Sequence, residues 1–271
     1  MRLDLHLHSQ ASDGSEPPSG VVEAAAAGRL DVIALTDHDT TQGLDGARAA
    51  AARVPIEIVS GIEISTAHAG RGLHILGYFV DPSTPRLRAY ETRARHRREE
   101  RMQEMIQRLA VRGVHVRYAS VVEIAGPSRR SLGRPHLARA LVAEGYADSV
   151  PDAFDRLIGN RHPAYVPTAL VSAEEAIRII LESGGIPVWA HPPYELLEGL
   201  LPGLKLAGLR GIEVYRPRTS PERILSLERI ARSWNLLMTG GSDWHGPDSG
   251  TLGEFCVFGD EVAGFLEAGG M

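Results

Sequence analysis

Five short apolar segments of this chain each run directly into histidine or an acid. Leu3-Asp4-Leu5-His6-Leu7-His8 carries two histidines and is followed by Asp13. Asp31–Thr36 runs into Asp37-His38-Asp39, Ile56–Ile62 into Glu63, Ile186–Ala190 into His191, and Leu236–Ser242 into Asp243-Trp244-His245. Alternate side chains of an extended strand share a face, so His6 and His8 point one way while Leu5 and Leu7 point the other. Of the 11 histidines, six (His6, His8, His38, His74, His191 and His245) fall at these strand ends or on the short strand Leu73–Phe79. Histidines scattered through a core or over a surface would not concentrate so. In barrels of parallel strands the chemistry gathers where strands end, and imidazole with carboxylate is a metal-binding donor set. The pattern predicts an α/β barrel with a metal site at its C-terminal mouth.

Helical patterns fill the intervals. They cover Ser19–Arg29, Thr41–Arg53 with Thr40 or Thr41 as N-cap, a segment capped by Ser172, and a segment opened by Ser220-Pro221 that runs to about Trp234. Strand alternating with helix implies a mostly parallel sheet, and 271 residues can bury one substantial core. From Thr84 to about Val166 the alternation stops and the chain reads as nearly all helical. It begins with the arginine-rich run Arg86–Arg112, whose apolar positions Met102, Met105, Ile106 and Leu109 recur at helical spacing. The expected organisation is therefore a barrel in two parts, 1–82 and 167–271, with a helical subdomain over 83–166 inserted between them. The arginines of the long run read as a solvated face. Arg134 and His136 differ, because they follow Gly133 at a helix start, where free amides and the helix dipole favour an anion. The insertion is thus expected to lean over the mouth and contact phosphate.

A formal charge of −5 argues against binding long nucleic acid by bulk electrostatics, but not against a small anion in a local pocket. Cys256 is the single cysteine, which excludes an intramolecular disulfide and suits a reducing compartment. It lies in the apolar stretch Phe255-Cys256-Val257, as a core residue would, and there is no Gly-x-Ser-x-Gly elbow. No apolar stretch approaches ~18 residues, and the N-terminus lacks a basic region before an apolar signal core. The expectation is a cytoplasmic protein with no membrane partner. Nine ligand-type side chains (the six histidines with Asp13, Glu63 and Asp243) are too many for one ion and suit two or three. Their mixture favours Mn²⁺, with Fe²⁺ or Zn²⁺ as alternatives, over Mg²⁺ alone.

His6-x-His8 with Asp13, Thr36-Asp37-His38-Asp39, Gly61-Ile62-Glu63, His74, Ala190-His191-Pro192 and Ser242-Asp243-x-His245 together resemble the motifs of the PHP (polymerase and histidinol phosphatase) family, in order and over most of the chain. The resemblance implies a distorted (β/α)7-type PHP barrel. It further implies one metal held by His6, His8, Glu63 and Asp243, a second by Glu63, His74 and His191, and a third by Asp13, His38 and His245. Glu63 would be the bridge, and Glu63, Asp243 and His191 the centre of catalysis, with a metal-bridging hydroxide attacking phosphorus. Asp37 and Asp39 are expected as supporting or capping carboxylates, one of them orienting a histidine. The segment Ser131-Leu132-Gly133-Arg134-Pro135-His136-Leu137-Ala138 resembles the signature of the subgroup that removes the 3′-phosphate of nucleoside 3′,5′-bisphosphates, some members of which also trim short RNAs from the 5′ end. Arg134, His136, Arg216 and Arg130 are the expected substrate contacts. The chain departs from the subgroup at Arg161-His162, where relatives often carry Gly-Lys, and at Arg216, where they often place a smaller polar residue or histidine.

Three other readings compete. Histidinol-phosphate hydrolysis would use the same barrel, but the Gly133–His136 insertion speaks against it. An amidohydrolase would bridge its metals with a modified lysine, yet the one lysine, Lys205, lies away from any strand end. A non-catalytic metal-binding PHP module should have lost ligands, and here all nine positions are filled.

Overall fold

The strand segments all pair into one sheet. The computed structural model describes residues 1–69, 71–168 and 170–271. Its elements run β1 (Arg2–Leu7), α1 (Pro18–Ala27), β2 (Val32–Leu35), α2 (Leu44–Ala51), β3 (Glu57–His68), β4 (Arg71–Tyr78), α3 (Pro85–Ala110), α4 (Tyr118–Ala125), α5 (Arg134–Ala143) and α6 (Val150–Ala153) with a π-turn Phe154–Ile158. They continue with α7 (Ala173–Glu182), β5 (Ile186–Trp189), α8 (Tyr194–Ala207), β6 (Gly211–Tyr215), α9 (Pro221–Ser233), β7 (Leu237–Gly240), β8 (Val257–Phe258) and α10 (Ala263–Gly269). The sheet order is β7-β6-β5-β4-β3-β2-β1-β8. Just past β7 the chain returns to β1: Leu7 bridges Trp244, and the His8 N–H donates to the Trp244 carbonyl at 2.9 Å. Seven strands therefore nearly close into a distorted barrel, and the two-residue β8 lies antiparallel on the start of β1. Closure needs a glycine. A Cβ on Gly241 would sit 2.3 Å from the His6 Cβ and 2.4 Å from its backbone nitrogen.

The expected parallel alternation fails at β4, which runs against both β3 and β5. His68 pairs with Arg71 across the turn, and so short a connection cannot hold the crossover that parallel strands require. β3 also runs past Ile62, so Glu63 lies within a long strand rather than at its end, and it bridges His38 beyond the end of β2. The helix over Thr41–Arg53 is shorter than its pattern: α2 starts at Leu44 after Gly43, without a side-chain cap. Thr41 instead gives its N–H and its hydroxyl to the Glu91 carboxylate. The other two caps form as read, with Ser172 accepting from Glu175 at 3.2 Å and Ser220 from Arg223 at 3.3 Å.

The insertion has a core of its own, built on Met102, Met105, Leu109, Val121, Leu137 and Leu141. α3 joins this core to the barrel, because Leu87, Tyr90 and Ala94 at its start pack with the barrel residues. Between these two stretches lie Arg98 and Arg101, 5% and 7% exposed. The solvated-face reading of the arginine run fails for these two. Among the described residues no helix is long and apolar enough to cross a membrane.

Candidate metal centre

β1 and the residue that follows it place Asp4, His6 and His8 on one face, all buried. The His6 Nδ1–H donates to Glu213 Oε1 at 2.8 Å, which turns Nε2 toward Glu63 Oε2 (3.3 Å) and Asp243 Oδ1 (3.5 Å). His8 Nε2 faces the same two oxygens at 3.2 and 3.3 Å. Glu63 lies at the middle of the site. Its Oε2 is also 3.0 Å from His38 Nδ1, and its Oε1 is 2.7 Å from His74 Nδ1 and 3.1 Å from His191 Nε2. To one side, Asp13 stands 3.4 Å from His245 Nε2 and 4.0 Å from His38 Nε2. His245 Nδ1–H donates to the Asp243 carbonyl at 2.8 Å, leaving Nε2 for Asp13. Asp39, His191 and Asp243 all take left-handed backbone angles (φ 57°, 31° and 58°), a conformation that costs free energy away from glycine and recurs at functional sites.

These donors fit divalent cations. His6 Nε2, both nitrogens of His8, His38 Nδ1, Glu63 Oε2 and Asp13 Oδ1 are buried without a hydrogen bond, a costly state for so many polar atoms unless a cation meets them. Four donor groups have ligand atoms within 4.8 Å of one another: His6–His8–Asp243, His6–Glu63–His191, His38–Glu63–His74, and His8–Asp13–His38–His245. All nine expected side chains are thus brought together. His38 stands between Glu63 and Asp13 rather than beside Asp13 alone. Burial opposes charge on Glu63, but His38, His74 and His6 outweigh it and hold the carboxyl well below its usual range. Asp243 is likewise lowered against burial, by His6 and His8 among others. Both therefore remain anionic donors.

Glu213 was not among the expected residues. It is fully buried on β6, and besides holding His6 it accepts the His191 N–H at 2.7 Å. A carboxylate of this kind fixes the tautomer and aim of a ligand histidine. The signal was present, since Gly211-Ile212-Glu213-Val214-Tyr215 is another apolar strand carrying an acid. Among the described contacts neither Asp37 nor Asp39 bonds a histidine. Asp37 accepts from the Ser9 N–H and hydroxyl and from Ser12 at 2.6–2.8 Å, bracing the loop that carries Asp13. Asp39 pairs with Arg98 at 2.6 Å and accepts the Ser65 N–H at 2.7 Å.

Arg134 lines a pocket of about 220 Å³ together with Asp13, His38, His74 and His245. Its guanidinium lies 5.2 Å from the Phe154 ring centre and 5.0 Å from that of Tyr165, and it bonds Asn160 Oδ1 at 2.8 Å. Arg101 lines the same pocket. Burial, with Arg98 and Arg134 beside it, lowers Arg101 to about 9. Sequence reasoning missed Arg98 and Arg101; the available signal was that they share a helix face with Ala94, Met102 and Met105. The other expected substrate contacts lie elsewhere. Arg130 borders a separate cleft of about 820 Å³ beside Thr41, Arg88 and Arg95, and its guanidinium rests on the carbonyls of Pro127 and Arg129. Arg216 is tied to Asp243 Oδ2 (3.3 Å) and Glu213 Oε2 (3.4 Å).

His136 is turned inward, 2% exposed, and accepts the Gly133 N–H on Nδ1 at 3.0 Å, so it caps α5. Glycine at position 133 lets the helix start approach Asp13, whose Oδ2 would lie 2.8 Å from a Cβ there. Burial drives His136 from 6.5 down to about 4. Between those values the unfolded chain binds a proton that the native protein does not, so stability falls as pH drops from about 6.5 toward 4. The stability advantage of wild type over H136Q, measured by urea unfolding, should shrink by roughly 3 kcal/mol between pH 7 and pH 4. A pH-independent difference would contradict the neutral cap.

Residues 4–116 match the PHP domain. The chain is 35% identical to the 5′-3′ exoribonuclease of Haemophilus influenzae over 91% of its length and 90% of that protein. It is 34% identical to the 3′,5′-nucleoside bisphosphate phosphatase of Chromobacterium violaceum over 92% and 88%. It is also 35% identical to the phosphoribosyl 1,2-cyclic phosphate 1,2-diphosphodiesterase of Eggerthella lenta over 90% and 94%. Among solved structures, a protein of Bifidobacterium adolescentis described as a metal-dependent phosphoesterase superposes with a TM-score of 0.89 at 33% identity, covering 97% of this chain and 95% of that one.

Proposed function

The chain belongs to the PHP family, and from that premise we propose that it is a metal-dependent phosphoesterase acting on nucleotides. Its substrates are nucleoside 3′,5′-bisphosphates, which lose the 3′-phosphate, and short oligoribonucleotides shortened from the 5′ end. His6, His8, Asp13, His38, Glu63, His74, His191, Asp243 and His245 hold two or three divalent ions, Mn²⁺ before Fe²⁺ or Zn²⁺. Such ions supply an activated water and neutralise phosphoryl oxygens when bound. Residues 83–166 act as a cap that reads the substrate, and 1–82 with 167–271 form the barrel beneath it. The lone Cys256 suits a reducing cytoplasm.

The observation that carries the choice of substrate is the pair Arg101 and Arg134. Three arginines line one small pocket next to the metal-binding side chains; Arg98 is paired with Asp39, but among the described residues no carboxylate pairs with Arg101 or Arg134. Burying them without an anion is costly. A second phosphate, held at a fixed distance from the reacting one, supplies that anion, and the rings of Phe154 and Tyr165 hold Arg134 in place. Hydrolysis of adenosine 3′,5′-bisphosphate, AMP, histidinol phosphate, a phosphoribosyl 1,2-cyclic phosphate and a short 5′-phosphorylated RNA, each with Mn²⁺ and followed by released phosphate or, for the RNA, by released mononucleotide, tests the reading. The bisphosphate should exceed AMP and histidinol phosphate in kcat/KM. Preference for histidinol phosphate or the cyclic ester would refute it.

Arg134 touches the phosphate that does not react, so its contacts persist from ground state to transition state. Arg134→Ala should raise KM more than it lowers kcat. A lost charge-assisted contact of ~1.5–3 kcal/mol corresponds to a roughly tenfold to hundredfold fall in kcat/KM for the bisphosphate. A generic phosphate monoester should lose far less. Equal losses on both would move Arg134 to the reacting phosphate.

A further inference from the structure

A bisphosphate ends at its reacting phosphate, but an oligoribonucleotide continues beyond it. Hydrolysis from the 5′ end adds the water oxygen to phosphorus, breaks the bond to the 3′-oxygen of the first nucleotide and leaves a proton on that oxygen. The new 5′-phosphate stays on the shortened chain. On the phosphoesterase reading Arg101 and Arg134 hold the 5′-phosphate of the first nucleotide, so the rest of the chain must leave the metal-binding side chains by another route.

Such a route exists at the ends of β6 and β7. A cleft of about 770 Å³ opens there, within the size range that accommodates organic ligands. It shares no lining residue with the Arg134 pocket. It borders the metal-binding side chains through Asp243: Ser242 and Trp244 line the cleft on either side of Asp243 in the sequence, and Arg216, on its wall, bonds the Asp243 carboxylate. The loop forming the far part of the cleft is tied down, since the Trp244 indole donates to the Gly250 carbonyl at 2.8 Å and Arg2 donates to that of Gly253 at 2.7 Å. Arg218 is exposed on the cleft, while the half-buried Phe255 offers a ring of the kind on which bases stack.

We propose that this cleft seats the nucleotide downstream of the scissile phosphate, with Arg218 meeting the next phosphate of the chain. The inference rests on the phosphoesterase reading and adds to it a second site. Asp248 and Glu254 line the same cleft and would repel a longer polyanion, so the site suits one or two downstream nucleotides. That agrees with a net charge of −5, which disfavours long RNA.

The test compares kcat/KM of wild type, Arg218→Gln and Arg218→Glu on adenosine 3′,5′-bisphosphate and on a 5′-phosphorylated trinucleotide RNA, with Mn²⁺. Arg218→Glu should lower the RNA value about tenfold to hundredfold, and Arg218→Gln should lower it less. Both variants should stay within about twofold of wild type on the bisphosphate, which also shows that they are folded. Unchanged RNA cleavage in both variants would overturn the proposal. Equal losses on both substrates would overturn it too, because the cleft would then seat the nucleoside itself. A wild-type protein that cuts the bisphosphate but not the RNA would remove the downstream site and leave the phosphatase reading standing. Failure on both substrates would remove both.

Discussion

Glu63→Gln should lower phosphate release from a nucleoside bisphosphate by roughly a thousandfold or more. The loss of a charge that gathers several metal donors costs several kcal/mol in the transition state, and each ~1.4 kcal/mol is tenfold. Among the described residues no other side chain is so placed. One carboxylate faces His6, His8 and His38 through Oε2 and His74 and His191 through Oε1, all within 3.3 Å. Glutamine keeps the shape but loses the charge and one acceptor. Circular dichroism should show the fold unchanged, since Glu63 sits on a strand whose pairing is made by backbone. Near wild-type turnover would remove Glu63 from the set of ligands, and with it the idea that one bridge links the donor groups.

The largest effect on stability is expected at Arg98. Its guanidinium is 5% exposed and bonds Asp39, the Ser65 hydroxyl at 2.8 Å and the Leu132 carbonyl at 2.9 Å. Burial opposes charge on Asp39, but Arg98 overcomes it and keeps the carboxyl below its usual range. Arg98→Met leaves that carboxylate buried without its partner, at a cost of about 3–5 kcal/mol. Asp39→Asn with Arg98→Met should recover most of the loss, and asparagine tolerates the left-handed backbone at position 39. Denaturant unfolding measures both. A cost below about 1 kcal/mol for Arg98→Met would mean that water reaches the pair and that α3 is not anchored to the barrel there.

The side chains gathered at the barrel mouth were legible because they follow the simplest periodicity of a strand. His6 and His8 share a face by alternation, and the other candidates stand next to apolar runs that have no other reason to end in histidine. What escaped needed tertiary information or a closer look at the same rule. β4 reads as one more strand, and only the two-residue connection from His68 to Arg71 reveals that it must run backward. Glu213 obeys the strand rule but lies inside its strand, whereas the other acids were sought at the ends. Arg98 and Arg101 are charged, so the run that contains them reads as solvent-facing, although their spacing from Ala94 and Met102 places them on the packed face. His136 has the residue type of a phosphate contact, and its position three residues after Gly133 also suits an inward cap. Charge and composition cannot choose between those roles. Arg130 is close in sequence to Arg134, yet it lines a separate cleft.

The barrel mouth gathers overlapping donor groups around Glu63, enough for more than one ion. Calorimetric titration of Mn²⁺ into chelator-treated protein measures this directly. Wild type should bind two or three ions per chain, and Glu63→Gln should lose at least one of them. A wild-type stoichiometry of one, or a Glu63→Gln variant that binds as many ions as wild type, would contradict the claim.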